Sequence, residues 1–552
     1  MKRLTFGDSQ PRCERPDCSA VWTRVLLGLI LVAWTAAAGC SPSSADGPSA
    51  SERATVADQT PKRSTPDDVA PPVGYSLAED RDAWDAVYAM GHKMGHQHVR
   101  VRRHRDGGRE DVRIELTSQA AFLRFGEPVE VTTNLTSRET PDGRLIDFEA
   151  MEKLGPSPTE TRGRVEGDAL VLEKTLEKQT RTVRLPWSER NGGFQAVEFS
   201  LLSRPMRPSE TRVFRALLPV FHQTATVRLT ARDHEDVQLL DGTKRLLRVD
   251  SRVVLPDGQT IDGVYWLDER GETLKTRVEG ALQQETFRCS RDEALDKQGL
   301  GTLDIGLISM VALERRIPWP HTSRRIRYRA SLADGDPAAT FVPGLSQRVK
   351  PLGPHSAELT VLAVRPDEPK TSSVDAGDAP TPDDRAPNSR IQSDDQQVRA
   401  MAKAAVEGKQ GDWEKAVALE RYVFDNIHDK NLSQALASAA EVARTREGDC
   451  TEHAVLLAAM ARAEGLPARV AIGLVYFEQP REPRHAFGYH MWTEIFVQDR
   501  WIPMDATLGL GGIGGAHLKL AHASLKDTDA MNPFLPVIKV LGQLKLEVLD
   551  CE

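Results

Sequence analysis

Asp449 and Glu452 bracket Cys450 in the stretch Glu447-Gly448-Asp449-Cys450-Thr451-Glu452-His453-Ala454, and their spacing dictates where a helix begins. An acidic side chain followed three residues later by glutamate, directly before an apolar run, is a capping box. The helix is expected to run to Glu464 and to stop at Gly465, with Pro467 just beyond. Cys450 falls in the first turn, where unpaired N–H groups and the helix dipole favour negative charge. A free thiol has a pKa of about 8.5, and a helix N-terminus is one of the settings that lowers it. A thiolate nucleophile is therefore expected at Cys450. Cys450, Ala454, Leu457 and Ala461 share one face, which aims the thiol along a buried seam.

Two later stretches supply partners for that thiol. Gly488-Tyr489-His490-Met491-Trp492-Thr493-Glu494-Ile495-Phe496-Val497 and Arg500-Trp501-Ile502-Pro503-Met504-Asp505 are rich in aromatic and β-branched residues and flank a polar Gln498-Asp499 turn. They read as a hairpin in which Val497 faces Arg500, Phe496 faces Trp501 and Trp492 faces Asp505. His490 then lies diagonal to Asp505 on one sheet face, about 7–8 Å apart along the backbones, close enough for the side chains to meet. A base oriented by a carboxylate beside a thiol is the arrangement that activates a nucleophile. Trp492 and Trp501 read as sheet-packing aromatics, one of which could shield the thiolate from water. His453 competes with His490 for the role of base, but no hairpin places a carboxylate to orient it.

These three blocks, in this order, resemble the transglutaminase-like superfamily in its bacterial branch, over roughly residues 395–552. The resemblance implies an α+β, papain-like cysteine hydrolase domain with Cys450 as nucleophile, His490 as base and Asp505 as orienting acid. It implies amide-bond chemistry through an acyl-thioester on a protein or peptide substrate, with no metal or organic cofactor. The superfamily holds transferases, peptidases, amidases and inactive members. A hydrolase is expected ahead of a cross-linking enzyme; the alternative is a non-catalytic scaffold or ligand-binding envelope lipoprotein.

Residues 1–39 read as an export signal rather than as part of the fold. Basic residues through Arg24 precede the apolar run Val25–Trp34, which is shorter than the ~20 residues a membrane-spanning helix needs. The small residues Ala37-Ala38-Gly39 before Cys40 resemble a bacterial lipobox, which makes Cys40 the expected lipidation site and the chain a lipid-anchored envelope protein. Ser41 in the next position points to the outer membrane, facing the periplasm. Cys13 and Cys18 would leave with the signal. Residues 40–72, rich in Ser, Pro, Ala, Asp and Thr, cannot bury enough apolar area to offset ordering and read as a tether.

Between the tether and the Cys450 domain the pattern is β-rich. Turn signals at Pro141-Asp142-Gly143, Asn191-Gly192-Gly193, Asp241-Gly242 and Pro256-Asp257-Gly258 separate alternating runs such as 225–231, 244–255 and 261–267. A large antiparallel sheet or half-barrel is expected over 73–295, opening with a short helix at 82–90. A small β region follows over 296–365, a flexible linker over 366–393, and the Cys450 domain over 394–552. That domain opens with one or two packed helices and closes with a strand or two over 537–549. The whole is thus a multidomain chain, an N-terminal antiparallel β domain followed by an α+β domain. His92, His96, His98 and His104 crowd one strand, but without a carboxylate or cysteine at ligand spacing they read as solvated rather than metal-binding. Cys289 and Cys551 are read as inert or as a possible disulfide pair in an oxidising compartment. A net charge of −8 over 552 residues, without basic–aromatic clusters, argues against nucleic acid as partner.

Overall fold

The computed structural model describes residues 80–552 apart from 107–108, 154–156, 219–220, 281, 366–377, 429–436, 480–482 and 528–531. The export signal, Cys40 and the tether lie outside the described residues.

Alternating burial builds the N-terminal domain. In the strand Glu127–Glu139, Val129, Val131, Thr133, Leu135 and Ser137 point inward while their neighbours face outward, as the two-residue period of a strand requires. Fifteen such strands make one sheet. Arg81–Ala89 lies in its interior, between His92–Asp106 and Glu285–Cys289. One meander leads outward from there to Gln179–Pro186. The other half runs from the opposite edge at Asn191–Gly192 back to Glu285–Cys289. Neighbours are antiparallel except Asn191–Gly192 against Thr211–Leu218. A bridge from Gly192 to Arg144 folds that edge back over the sheet, and Phe148 packs edge-on against Phe194 beneath it.

The short helix expected at 82–90 is a strand, Arg81–Ala89. Its register slips between Val87 and Tyr88, and Ala83, Ala86 and Val87 are all buried, so both faces of the strand are covered and its apolar spacing imitates that of a helix. The Asn191-Gly192-Gly193 turn contributes an edge strand instead, followed by the helix Ala196–Ser203.

The C-terminal domain is organised around the helix Cys450–Ala463, whose residues through Arg462 are all buried. A helix enclosed on every side belongs in a core. The helices Gln396–Ala405, Asp412–Asn426 and Ala439–Thr445 pack against it, as does a sheet in which His485–Val497 and Ala468–Glu478 are central. His517–Ala523 borders Ala468–Glu478, while Arg500–Met504 and the two-residue strand Val311–Ala312 both pair with His485–Val497. The closing segment, expected as a strand or two over 537–549, begins instead as the helix Leu535–Val540, with Pro536 in its first turn, and only then forms the strand Leu544–Cys551. That last strand pairs with Arg325–Leu332, in a sheet completed by Ser356–Leu362 and Gln347–Gly353. The region expected as a separate small β unit thus shares its sheet with the chain terminus.

Residues 388–393, expected to be part of a flexible linker, are instead packed. Asn388, Arg390, Ile391 and Gln392 are buried, and Asn388 Oδ1 accepts from the N–H groups of Arg390 and Ile391. Their polar composition imitates a linker although the side chains are buried. One continuous apolar core joins the two domains, running from Val131 and Leu229 through Ile326 to Leu457 and Ile472. Polar ties reinforce the joint: Arg181 with Asp394 at 2.7 Å, Gln223 Nε2 with Asn532 Oδ1 at 2.7 Å, and Ser157 Oγ with Glu441 at 2.9 Å.

Burial pushes Glu139 up to about 8 and Glu152 up to about 7. A carboxyl that holds its proton more tightly when folded contributes stability fully present below its unfolded value near 4.5 and lost as pH rises through 7–8. Each such group costs about 1.4 kcal/mol per pH unit across that window. The melting temperature is therefore expected to fall between about pH 5 and pH 8 and to level off above that. Calorimetry on Glu139→Gln and Glu152→Gln should show a flatter dependence; an unchanged slope would contradict the assignment.

Candidate active site

The nucleophile position is built as its capping signals imply. Asp449 accepts from the Thr451 N–H at 2.9 Å, and Glu452 accepts from the Asp449 N–H at 2.9 Å. Glu452 also takes the Ala437 N–H, at 3.0 Å. Gly448 makes this possible. Its φ is +149°, and a Cβ there would lie 2.2 Å from the Glu452 side chain. The cap is tied to the N-terminal sheet through Arg124, whose buried guanidinium lies 3.8 Å from Asp449.

Cys450 is 1% exposed. Burial pushes its thiol well above the usual range and the charge of Asp449 adds to this, while the Met491 N–H directed at the sulfur pulls the other way. The expectation that the helix start lowers this pKa is thus corrected: desolvation outweighs the dipole. The thiol consequently needs a base. The Met491 contact places it against the strand beside His490, and Thr493 Oγ1 donating to the Ala454 carbonyl at 2.9 Å holds that strand on the helix.

The hairpin follows the expected register from Val497 opposite Arg500 to Thr493 opposite Met504. Gln498 and Asp499 have φ of 54° and 61°, the paired left-handed conformations of the two-residue turn that matches strand twist. Asp505 follows the end of the strand and meets His490, with Nε2 to Oδ2 at 2.8 Å. A carboxylate only accepts, so Nε2 carries the proton and Nδ1 the lone pair a base requires.

Asp505 is also more fully bound than the sequence suggested. Its Oδ2 accepts from His517 Nε2 at 2.9 Å, and its Oδ1 from the Thr507 N–H at 3.0 Å and hydroxyl at 2.6 Å. Burial opposes ionisation, yet the charge of His490 and the bonds from both rings hold this carboxyl well below its usual range. Burial lowers His490; Asp505 opposes that shift and His517 adds to it.

Gly473 allows its strand to approach His517–Ala523 closely. It lies opposite His490 on one neighbour and Lys519 on the other, and a Cβ there would come within 1.9 Å of the Leu518 carbonyl oxygen and 3.0 Å of the Trp492 ring. On the same sheet His490 and His517 lie 5.9 Å apart between centroids, and Trp492 meets His517 edge-on at 5.3 Å. Glycine inside a strand marks such a close approach. That signal was available in the sequence, whereas His517 itself carried none.

Other candidates fall elsewhere. His453 Nδ1 donates to the Asp449 carbonyl oxygen and so serves its own helix. Trp501 donates to the Asp378 carbonyl at 2.7 Å and stacks under Arg469, away from the thiol. His98 stacks on Trp84 at 3.8 Å and bonds Asp82 at 2.7 Å. Cys289 and Cys551 are free thiols. Glu420, missed in the sequence, is pushed up to about 8 by burial and by the charge of Asp505, and accepts from the Gly511 N–H at 2.6 Å. The ligand atoms of His490, Asp505 and His517 lie within 4.8 Å of one another and could hold a cation. Two N–H donors sharing one carboxylate oxygen account for the same geometry.

The sequence profile of the transglutaminase-like superfamily matches residues 399–506. The C-terminal region of the chain thus carries a transglutaminase-like core, which ends just after Asp505; the N-terminal sheet lies outside the match. A search of the curated proteins finds no significant match. Among solved structures, a proposed cysteine protease from Cytophaga hutchinsonii is similar at 16% identity, over 42% of this chain and 92% of that one, with a TM-score of 0.28. A β-barrel-like domain of unknown function from Brucella abortus is similar at 10% identity, over 38% and 98%, with a TM-score of 0.29. The periplasmic domain of TgpA from Pseudomonas aeruginosa is similar at 17% identity, over 37% and 84%, with a TM-score of 0.25. Scores this low carry no argument about mechanism, which rests on the geometry above.

Gly473→Ala is expected to force the two strands apart, costing about 1–3 kcal/mol as overpacking does. Thermal melting should show the loss. An unchanged melting temperature would mean that the strand contact is not as close as described.

Proposed function

We propose that this chain is a thiol enzyme acting on amide bonds, with Cys450 as nucleophile, His490 as base and Asp505 as the orienting acid. The observation that carries this reading is the 2.8 Å bond from His490 Nε2 to Asp505. It leaves Nδ1 as proton acceptor on the residue preceding Met491, whose N–H meets the thiol.

In this mechanism His490 Nδ1 takes the S–H proton, and the sulfur attacks the amide carbonyl carbon. The carbonyl oxygen becomes an oxyanion facing the start of the helix. There the cap engages the Asp449 and Thr451 N–H groups, leaving that of Cys450 as donor. The C–N bond then breaks, the imidazolium protonates the departing amine, and a thioester remains on Cys450. His490 next deprotonates water, which attacks the thioester and releases the acid and the thiol. Water is favoured over an amine as acceptor because Cys450, His490 and Asp505 are 1%, 3% and 0% exposed. A small acceptor needs the least opening of such a site.

The sequence also supports an envelope location, with a lipid on Cys40 anchoring the chain and the catalytic domain facing the periplasm. No helix among the described residues is long and apolar enough to cross a membrane.

At neutral pH, iodoacetamide should modify Cys450 faster than the half-buried Cys289 and Cys551, although burial alone would make it the slowest. His490→Ala should slow it about a hundredfold, the usual worth of a general base. Peptide mapping by mass spectrometry measures both, and equal rates at the three thiols would favour the non-catalytic scaffold. Incubation with proteins, peptidoglycan fragments and amine donors should release new termini that are absent with Cys450→Ala; amine incorporation instead would assign a transferase. Labelled palmitate should enter the wild-type chain and not Cys40→Ala, and incorporation into both would reject the anchor.

A further inference from the structure

Asp505 accepts from one more imidazole than the proposed reaction uses. His490 and His517 both donate Nε2–H to Oδ2, at 2.8 and 2.9 Å, and both side chains are completely enclosed. Nothing local forces the second bond. His517 opens the strand His517–Ala523, which is separated from the His490 strand by Ala468–Glu478, and it reaches Asp505 across that intervening strand. With the Thr507 N–H and hydroxyl on Oδ1 and His490 on Oδ2, the carboxylate was already positioned. The extra ring carries a cost: His517 Nδ1 is buried without a hydrogen-bond partner among the described residues, a penalty that an apolar residue of similar size would avoid.

We propose that His517 is a positioning residue of the triad, fixing Asp505 and dividing its charge between two imidazoles so that the carboxylate does not overbind a positive charge on His490. The inference rests on the catalytic reading above. An imidazolium held too firmly by its carboxylate would return its proton reluctantly to the departing amine. Two donors on one oxygen weaken each other's pull, and a neighbouring imidazole further disfavours charge on His490. The electrostatic balance at His490 has this sign, with Asp505 favouring the proton and His517 opposing it.

The other titratable groups facing the pair come from every element packed around it. Cys450 and Asp449 approach from the nucleophile helix, and Glu420 from Asp412–Asn426, where it acts on Asp505. His321 approaches from the 318–323 turn, edge-on to His517 at 6.0 Å, and burial followed by the charge of His517 pushes it down to about 4. Among the described residues only His490 and His517 are seen to donate to Asp505 Oδ2.

The test is the pH dependence of Cys450 alkylation in the full chain, compared for wild type, His517→Gln, His517→Phe and His490→Ala. Removing the donor in His517→Phe should move the His490 inflection upward by about half a pH unit or more. His517→Gln, which can still donate one N–H, should restore it. Nitrogen NMR of the histidine rings in the unsubstituted protein provides a check that survives misfolding of a variant, and should show both His490 and His517 protonated at Nε2. A His517→Phe profile superimposed on wild type, or an Nδ1–H tautomer at His517, overturns the inference while leaving the triad intact. A His490→Ala rate equal to wild type overturns the triad and this inference together.

Discussion

Everything at this site depends on one buried carboxylate being able to keep its charge. Asp505 is fully enclosed, where an isolated carboxylate would take up a proton. Four donors prevent that: two imidazole N–H groups on one oxygen, a backbone N–H and a hydroxyl on the other. Charge and hydrogen bonds outweigh desolvation, so the group can orient His490 at depth. The surrounding architecture supplies those donors from separate places. Thr507 comes from the turn after the hairpin, His490 from a central strand, and His517 from a strand beyond it.

The same enclosure has the opposite effect on the sulfur. A helix start favours a thiolate, but removal from water and the nearby Asp449 charge disfavour it more. In the proposed mechanism the reactivity of the sulfur therefore depends on proton transfer to His490 rather than on the helix dipole. The β domain takes part in this enclosure. Arg124 from its strand Arg109–Arg124 reaches the cap residue Asp449, and one apolar core runs through both domains. The N-terminal sheet is thus packed against and ion-paired with the start of the Cys450 helix.

What the sequence disclosed follows from how local each determinant is. The capping box, the helix start at Cys450 and the hairpin register all depend on residues a few positions apart; the structure shows them as read, except that the ladder ends at Thr493 and Met504, short of the expected Trp492–Asp505 pair. The Gln498-Asp499 turn set the pairing, and the pairing brought His490 to Asp505. His517 was invisible because its contact with Asp505 is made across an intervening strand, after a glycine-rich run without periodicity. The strand at Arg81–Ala89 was read as helix because burial on both its faces gave it a helix-like apolar spacing. The last strand, Leu544–Cys551, was legible as a strand, but its partner Arg325–Leu332 lies too far back in the chain for any pattern to announce. The buried polar residues of 388–392 resembled a linker because burial cannot be seen in composition.

The account's central claim is that sulfur, imidazole and carboxylate act as one unit, with Asp505 working only through His490. The measurement that tests this most directly is a double-mutant cycle on the rate of Cys450 alkylation, using His490→Ala, Asp505→Ala and the double variant. Groups acting as a unit are strongly non-additive, so the double variant should react no more slowly than His490→Ala alone. Losses that multiply in the double variant would show Asp505 acting independently of His490 and would contradict the triad.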